Sequence, residues 1–258
     1  MHVKELLSLK DKIILVSGGA GMYGRCIVEG LAEADGTVIT ASRNLQEGEA
    51  LAREFQGKGL DVHAMRFDQA EHESVMVLKR GIEEKFGRLD VFVNNAVSRP
   101  MHGYDAPIEE FAESMRVNAS GMMDILRESA DLIARSGGGS IINISSMMGM
   151  YGPDLSNYEG TDMGDMPPDY FFHRGGIINL TRFMARMLAD KKIRVNCISP
   201  GGLFNNQPKR FVENYCKKVP VGRMANHDDI KGLVVLLASE ASAYINGENI
   251  LMDGGMHA

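Results

Sequence analysis

The stretch Asp11-Lys-Ile-Ile-Leu-Val-Ser17 runs directly into Gly18-Gly-Ala-Gly-Met-Tyr-Gly24, and these two segments decide the fold. The first is an apolar run typical of a buried strand. The second is a glycine turn, followed by a helix-like pattern that ends near Ala34. Glycines spaced three apart permit a tight turn, so that a pyrophosphate can lie on the amides that open the helix. This segment alone is equally typical of a plain loop.

Strand-like and helix-like segments alternate along the rest of the chain. Such alternation predicts an α/β fold, a doubly wound parallel sheet of about seven strands with helices on both faces. Ligands bind at the carboxyl ends of the strands in open sheets of this kind, so the residues there are the candidate site. The further strand-like runs are Thr37 to Ala41, Val62 to Phe67, Leu89 to Val93, Ser140 to Ser145, Arg194 to Ile198 and Asn249 to Met252.

Short polar motifs stand at the ends of these predicted strands and on the helices between them. They are Asn94-Asn95-Ala96, Val117-Asn118-Ala119, Asn143-Ile-Ser145-Ser146, Tyr170-Phe-Phe-His-Arg174, Ser199-Pro200-Gly201-Gly202, Tyr244-Ile-Asn-Gly247 and Asp253-Gly-Gly255. Together these motifs resemble the short-chain dehydrogenase/reductase family over nearly the whole chain. The resemblance implies a Rossmann fold in a single domain, residues 1–258, and an NAD(P)-dependent oxidoreductase acting on CH-OH groups.

Four single residues depart from the family pattern. Met22 and Val97 stand where the family has glycine, and Val97 crowds the expected floor of the cofactor site. Asn205 replaces a threonine, although its amide can still donate to the nicotinamide side of the cofactor. Arg174 replaces the catalytic lysine, which raises the question of whether the protein turns over efficiently.

The largest departure is an inserted loop at about 147–169. Tyr170 follows Ser146 at roughly twice the family interval, so about ten residues are added beside the substrate pocket. This loop, with Ile198-Ser-Pro-Gly-Gly202 and Asn206-Gln-Pro208, resembles a subgroup of flagellin-modification and legionaminic-acid oxidoreductases. Several of its methionines, including Met163 and Met166, can line an adaptable pocket, although filling gaps in the core is the commoner use.

Three tyrosines compete for the acid/base role. Tyr151 and Tyr158 lack a cation one helical turn further on, whereas Tyr170 has Arg174 four residues later on a segment with helical periodicity. A tyrosine near its reference pKa of ~10 holds its proton too firmly at neutral pH, and a neighbouring cation lowers that pKa. Tyr170 and Arg174 are therefore the predicted catalytic pair.

The resemblance implies two further catalytic residues. Ser146 would bond the substrate oxygen, and Asn118 would hold a water that links the site to solvent. Taken singly, a serine after a strand is usually a turn former and an asparagine within a helix a local cap. Their occurrence together, in the expected order, favours the catalytic interpretation.

The end of the second predicted strand governs the choice of cofactor. Ser42 stands where an acidic residue would accept hydrogen bonds from the ribose of NAD, and Arg43 follows it. Because a guanidinium binds phosphate bidentately, NADP is favoured over NAD, the alternative being that Arg43 is simply solvated. The residues expected to bind the cofactor are Gly18, Gly21, Met22, Tyr23, Gly24, Ser42, Arg43, Asp68, Gln69, Asn95, Ala96, Tyr170, Arg174, Pro200, Gly201 and Asn205.

Composition narrows the class of partner. The 258 residues carry a net charge of −6 with no basic stripe, which argues against nucleic acid. The three cysteines have no paired spacing, the start lacks a signal peptide's apolar core, and no apolar run approaches the ~20 residues of a membrane helix. We therefore expect a cytoplasmic protein. The seven histidines follow no metal-binding pattern, so no metal is expected.

Two functions follow from these observations. The first is an NADP-dependent oxidoreductase acting on a polar, sugar-like substrate in a pocket formed by loops 98–107, 147–169 and 203–225. The second is a nucleotide-binding sensor or partner without efficient turnover, which Arg174 favours. The family resemblance also implies a homo-oligomer, a tetramer or dimer, paired through helices near 107–134 and 170–189 and the C-terminal strand.

Overall fold

Seven strands form one parallel sheet in the computed structural model of this protein, which describes residues 1–163 and 166–258. The order across the sheet is β3-β2-β1-β4-β5-β6-β7, where the strands are β1 Ile13–Ser17, β2 Thr37–Ser42, β3 Val62–Arg66, β4 Val91–Asn94, β5 Gly139–Ile144, β6 Ile193–Pro200 and β7 Asn249–Met252. Every neighbouring pair is parallel. The predicted doubly wound sheet is confirmed, and each predicted strand matches an observed one to within about two residues at either end.

Helices connect the strands. They are α1 Val3–Leu7, α2 Met22–Glu33, α3 Leu45–Gln56, α4 His72–Phe86, α5 Ile108–Met115, α6 Met122–Arg135, α7 Pro168–Met187, α8 Lys209–Cys216 and α9 Lys231–Ala238. A π-helical turn, Arg116–Gly121, lies between α5 and α6. None of the helices in the described residues has the length and apolar character needed to cross a bilayer.

The two faces of the sheet carry separate cores because successive side chains of a strand point to opposite sides. Ile14 and Val16 pack with α2, α3 and α9 on one face. Leu15, between them, packs with α4, α6 and α7 on the other. A fully buried side chain such as Phe55 or Ile82 stabilises the fold by about 1.5–3 kcal/mol relative to exposure.

The strand order reverses between β1 and β4. From β1 the chain proceeds outward to β2 and β3, and it then returns to place β4 through β7 on the opposite side. A crevice opens at such a switch point, outside the carboxyl ends of the strands. The motifs that follow β1, β4 and β5 in the sequence therefore meet there.

Candidate active site

The turn between β1 and α2 is so tight that its glycines leave no room for side chains. Gly18 has a left-handed backbone with φ of +67°. A Cβ atom on Gly24 would lie 2.1 Å from the carbonyl oxygen of Gly18, and one on Gly19 would lie 2.3 Å from Oγ1 of Thr40. Since no side chain intervenes, the backbone opening α2 forms part of the cavity wall, and this cradle fits a pyrophosphate.

Asn95, just after β4, holds this turn in place. Its Nδ2 atom donates to the carbonyl oxygens of Ser17 and Gly18 at 3.2 and 3.0 Å. The Ser17 hydroxyl in turn accepts from the backbone amides of Asn95 and Ala96, both at 3.1 Å. Asn95 therefore ties β1 to β4 at the switch point, and its side-chain amide is committed to shaping the cradle.

Tyr23 connects the glycine turn to the loop after β6. Its hydroxyl donates to the carbonyl oxygen of Gly201 at 3.0 Å. Burial raises the pKa of Tyr23, so the hydroxyl remains protonated and keeps this hydrogen bond at neutral pH. Met22, which replaces a family glycine, begins α2 and lies half-exposed on the cavity wall.

The ends of β2 and β3 form the far end of the cavity. Arg43 is exposed there, while the Ser42 hydroxyl donates to the carbonyl oxygen of Asn44 at 3.0 Å. Asp68 accepts from the amide of Ala70 at 3.0 Å through Oδ1, which fixes the turn after β3. No carboxylate occupies position 42 or 43, so a guanidinium is the charged group at the end of β2.

Tyr170 lies in the first turn of α7, where it faces two guanidinium groups. The Cζ atoms of Arg99 and Arg174 lie 5.0 and 5.1 Å from its ring centroid. Burial alone would raise the pKa of Tyr170, but the positive charges of Arg174 and Arg99 outweigh it, so the pKa lies below its ordinary value of 10.0. A tyrosine of this kind can exchange its proton more readily than a free one.

Arg174 is buried one helical turn after Tyr170. It is 6% exposed, its guanidinium donates through Nη1 to the carbonyl oxygen of Ile144, and its own carbonyl oxygen accepts from the Ser145 hydroxyl at 2.7 Å. These bonds attach α7 to the carboxyl end of β5. Ser146 lies alongside on the cavity wall, where its hydroxyl accepts from the amide of Met148 at 3.2 Å.

Asn118 occupies the π-helical turn and binds the loop that follows β4. Its Oδ1 atom accepts from the amide of Ser98 at 2.9 Å, and its Nδ2 atom donates to the carbonyl oxygen of Ser98 and to the hydroxyl of Ser114 at 2.8 and 3.0 Å. Both polar atoms are therefore already bonded to protein groups. This side chain clamps the backbone before Arg99, and its predicted role of holding a water stays a prediction, since Oδ1 keeps a second lone pair.

The two alternative tyrosines lie on the same cavity wall in different surroundings. Tyr151 stacks on His257 with ring centroids 3.8 Å apart, and His257 is held by Asp253 at 2.8 Å. Tyr158 packs against Phe211 at 5.1 Å, and burial raises its pKa. Tyr170 has two guanidinium groups nearby and a lowered pKa, and this favours it as the acid/base group.

The inserted loop packs against α8. Asn214 donates through Nδ2 to the carbonyl oxygens of Asn157 and Glu159 at 3.4 and 3.0 Å, and Lys218 pairs with Asp154 at 2.6 Å. Met147 and Met163 belong to the small apolar cluster beneath it. The described part of the loop thus closes one side of the cavity, while residues 164–165 lie outside the description.

Most predicted site residues come together around one cavity of about 750 Å³, within the usual range of ligand pockets. Asn118 and Asn205 do not line it. Asn205 is exposed, and its backbone amide donates to Oε1 of Gln207, which lies on the wall. The predicted residues on the wall are Gly18, Gly21, Met22, Tyr23, Gly24, Ser42, Arg43, Asp68, Gln69, Asn95, Ala96, Ser146, Tyr170, Arg174, Pro200 and Gly201.

Two polar residues of the wall, Arg99 and His257, were not singled out from the sequence as site residues. Arg99 is 71 positions from Tyr170, and no spacing pattern connects them. His257 carries a weak signal, since Asp253 precedes it by four residues near the end of the chain. Gln207 belongs to the predicted pocket loop 203–225 and lies on the wall. Across residues 1–163 and 166–258, no three His, Cys, Asp or Glu side chains are arranged to hold a metal ion.

The crevice at the switch point fits a nucleotide, and a tyrosine whose pKa is lowered by nearby cations fits proton transfer in an oxidoreductase. Comparison with known proteins makes the family definite. A family model described as Enoyl-(Acyl carrier protein) reductase matches residues 20–257. The chain belongs to the short-chain dehydrogenase/reductase family, whose members act on CH-OH or carbonyl groups of small molecules.

Individual relatives cover the whole length of the chain. It is 29% identical over 253 residues to the post-translational flagellin modification protein A of Campylobacter coli, covering 96% of this chain and 98% of the relative. The crystal structure of a gluconate 5-dehydrogenase from Burkholderia cenocepacia, in complex with NADP and tartrate, has a TM-score of 0.87 at 28% identity, covering 99% and 98% of the two chains. A short-chain dehydrogenase from Leptospira borgpetersenii with bound NAD+ has a TM-score of 0.86 at 30% identity, covering 100% and 96%.

Proposed function

We propose that this protein transfers a hydride between NADP and a hydroxyl or carbonyl group of a polar, sugar-like substrate. The observation that carries the proposal is the position of Tyr170 on the wall of the cavity that also contains the glycine cradle. Its lowered pKa, next to two guanidinium groups, suits a group that must give and take a proton.

The charges after β2 support NADP. Arg43 is exposed at the cavity wall and can bind a 2′-phosphate, and Ser42 places a hydroxyl beside it. Glu47, in the first turn of α3, and Asp68, after β3, are the carboxylates on this part of the wall. The Burkholderia relative contains NADP and the Leptospira relative NAD+, so both nucleotides occur among chains of this fold. Arg43 decides our preference.

The loops around the reactive end of the cavity, the end that contains Tyr170, support a polar substrate. Asn157 and Gln207 contribute amides to the wall, and His257 an imidazole. One similar solved structure is a gluconate 5-dehydrogenase, named for a polyhydroxy acid, and one similar sequence is a flagellin modification protein. These properties favour a sugar derivative over an apolar ketone.

Each residue of the site would have a separate role in the reaction. The nicotinamide, when bound, supplies or accepts the hydride. Tyr170 donates a proton to the carbonyl oxygen during reduction, and the Ser146 hydroxyl donates a hydrogen bond to the same oxygen. Arg174 and Arg99 stabilise the phenolate that remains. The glycine cradle would hold the pyrophosphate and Arg43 the 2′-phosphate of the adenosine half, which would direct the nicotinamide half toward Tyr170.

The test is a panel of free and nucleotide-activated sugars and sugar acids, assayed with both nucleotides by nicotinamide absorbance. We expect NADP-dependent turnover of at least one polar hydroxy or carbonyl compound, and its loss in Tyr170→Phe. Full activity of Tyr170→Phe would show that the tyrosine is misassigned, and Tyr158→Phe would be measured next.

A second candidate is a nucleotide-binding protein without efficient turnover, acting as a sensor or partner. Arg174 favours it, because a guanidinium cannot release a proton as the family's lysine can. The same panel separates the two functions. Firm NADP binding by calorimetry, with no turnover of any substrate, would support the sensor.

We also propose a homo-oligomer. Phe172, Phe183 and Met187 are exposed by 65%, 56% and 59% on α7, at spacings that put them on one helix face. Ile108 on α5 is similarly exposed. A second copy covering this face would bury these side chains. Sedimentation should show a dimer or tetramer at micromolar concentration, and Phe183→Asp should weaken it; a monomeric wild type would contradict the proposal.

A further inference from the structure

Arg99 is a fixed cation at the reactive end of the cavity. The residue before it, Ser98, is held by Asn118 at both its amide and its carbonyl group. The Arg99 guanidinium then lies 5.0 Å from the ring centroid of Tyr170 and lines the cavity. In the described part of the chain, no carboxylate lies within 4.0 Å of it. A guanidinium without a carboxylate partner among the described residues, so close to the acid/base group, is a candidate anion-binding group.

The other charges around the reactive end do not neutralise Arg99. Arg174 is a second cation there. Asp154, a carboxylate on this wall, is already paired with Lys218 at 2.6 Å. The remaining acidic wall residues, Glu47 and Asp68, follow β2 and β3 at the far end. Asp169, next to Tyr170, is buried and does not line the cavity. Among the described residues, the carboxylates of the cavity wall therefore leave the charge of Arg99 available to a bound group, and a neutral hydroxyl compound would gain little from it.

We infer that the substrate is an anion, a hydroxy or keto compound whose carboxylate or phosphate oxygens are bound by Arg99 beside Tyr170. The planar guanidinium suits either group because it can donate two parallel hydrogen bonds. This inference rests on the proposed function and deepens it, since it names the charge of the substrate. It also gives Arg99 a specificity role, distinct from its effect on the pKa of Tyr170.

The experiment compares matched compounds that differ in charge. Gluconate is paired with gluconamide and glucitol, and glucose 6-phosphate with glucose, using the nucleotide that supports turnover. We expect wild-type kcat/KM to favour the anionic member at least about tenfold. Arg99→Ala should lower kcat/KM for that member by about 10- to 100-fold, the scale of a charge-assisted hydrogen bond, mainly through KM.

Two controls make the result specific. Arg99→Lys keeps the charge and should retain most of the preference. Arg53→Ala removes the same charge from an exposed position on α3, away from the cavity wall, and should leave every value unchanged. If the Arg99→Ala losses are equal for anionic and neutral compounds, or if the loss is in nucleotide affinity, the specificity role is wrong.

A binding measurement separates failure of this inference from failure of the proposed function. Tartrate is titrated by calorimetry into wild-type and Arg99→Ala protein loaded with NADP or NAD. Binding that weakens about 10- to 100-fold in the variant supports the anion site even without turnover, and then the proposed catalysis alone is wrong. Turnover of neutral sugars with no tartrate binding would overturn the anion site alone.

A different observation carries a second inference, concerning His173. A cavity of about 10 Å³, the space of roughly one water, lies behind the catalytic pair, and Asn118, His173 and Arg174 are among its lining residues. Nε2 of His173 and Nε of Arg174 are both buried without a hydrogen-bond partner in the described residues. The two residues are 7% and 6% exposed.

We also infer that one buried water joins Nε2 of His173 to Nε of Arg174, so that His173 is a positioning residue for the guanidinium. Water can accept from the Arg174 N–H and donate to the imidazole, which satisfies both atoms. Burial, with the charges of Arg174 and Arg99, lowers the pKa of His173 to about 3. The imidazole is therefore neutral and can accept a hydrogen bond.

A double-mutant cycle tests this link, because a lysine has no Nε–H to be satisfied. His173→Phe should lower kcat and nucleotide affinity by about 3- to 10-fold in the Arg174 protein, and by less than about twofold in the Arg174→Lys protein. His173→Gln, which keeps an acceptor, should recover most of the loss. Equal effects of His173→Phe in both backgrounds would overturn the inference, as would a high-resolution crystal structure without this water.

Discussion

Replacing Arg174 by methionine should make the nucleotide-free protein more stable and less active. Arg174 is 6% exposed, and in residues 1–163 and 166–258 no carboxylate lies within 4.0 Å of it. Its guanidinium donates to the carbonyl oxygen of Ile144, whereas Nε has no protein partner among the described residues. A buried cation without a counterion is unfavourable, and the nucleotide is the group that would compensate it.

The magnitude follows from two opposing contributions. Burying one ion costs several kcal/mol after relaxation, while a hydrogen bond from a charged donor contributes about 1.5–3 kcal/mol. Methionine has similar length and no charge, so we expect Arg174→Met to raise the free energy of unfolding by about 1–2 kcal/mol. For a chain of this size, this raises Tm by about 2–8 °C.

The assay is urea unfolding of the wild type, Arg174→Met and Arg174→Lys, with and without NADP. The lysine variant keeps the buried charge and should show no gain in stability. Saturating NADP should stabilise the wild type more than the methionine variant, because ligand stabilisation scales with affinity. If Arg174→Met is less stable than the wild type by about 1 kcal/mol or more without nucleotide, the guanidinium is a structural anchor, and this electrostatic reasoning is refuted.

Three further results are expected. Arg43→Ala should weaken NADP binding by about 1.5–3 kcal/mol and leave NAD binding nearly unchanged in calorimetry, and equal losses would count against a phosphate contact. Gly24→Ala places a Cβ atom 2.1 Å from a backbone oxygen and should destabilise the protein by about 1–3 kcal/mol with loss of nucleotide binding, whereas Gly232→Ala, with nothing within 4 Å, should stabilise it by about 0.4–1 kcal/mol in urea unfolding. Oxidation requires the Tyr170 phenolate, so its rate should fall as pH drops through the lowered pKa of Tyr170, and the rate of reduction should fall as pH rises through that pKa. Arg99→Ala removes one of the two cations, so both midpoints should move to higher pH in initial-rate profiles. An unchanged profile would show that Arg99 does not act on Tyr170.

The features that were predictable from the sequence are those with a local pattern. Apolar runs bounded by turn residues gave the strands, since β1, β2, β4, β5 and β6 are buried along most of their length. The glycine turn was recognisable because close backbone contacts at Gly24 exclude any side chain. Tyr170 and Arg174 were identifiable as a pair because residues four apart share one helix face.

The features that sequence reasoning missed depend on contacts between distant segments. Arg99 gains its position only because Asn118 clamps the preceding backbone and α7 brings Tyr170 across from another part of the chain. The exposure of Asn205, a predicted cofactor residue, depends instead on a local contact, since Nε2 of Gln207 donates to the carbonyl oxygen of Leu203 at 2.8 Å and turns the loop between them. Neither arrangement has a periodic signal along the chain.

The substitution of lysine by arginine constrains how the proton on Tyr170 is replaced. A lysine can both stabilise the phenolate and pass on a proton, whereas Arg174 supplies only the charge. Asn118 lines the cavity of about 10 Å³ next to Arg174, and its Oδ1 atom keeps a second lone pair beside the bond to Ser98, so the relay through a water at Asn118 stays a prediction. A second route for the proton runs through the open cavity, from solvent or from a hydroxyl of the bound nucleotide or substrate. A polyhydroxylated, anionic substrate would supply such hydroxyls next to Tyr170. A substrate of this kind would therefore let the enzyme work with an arginine in place of the family's lysine.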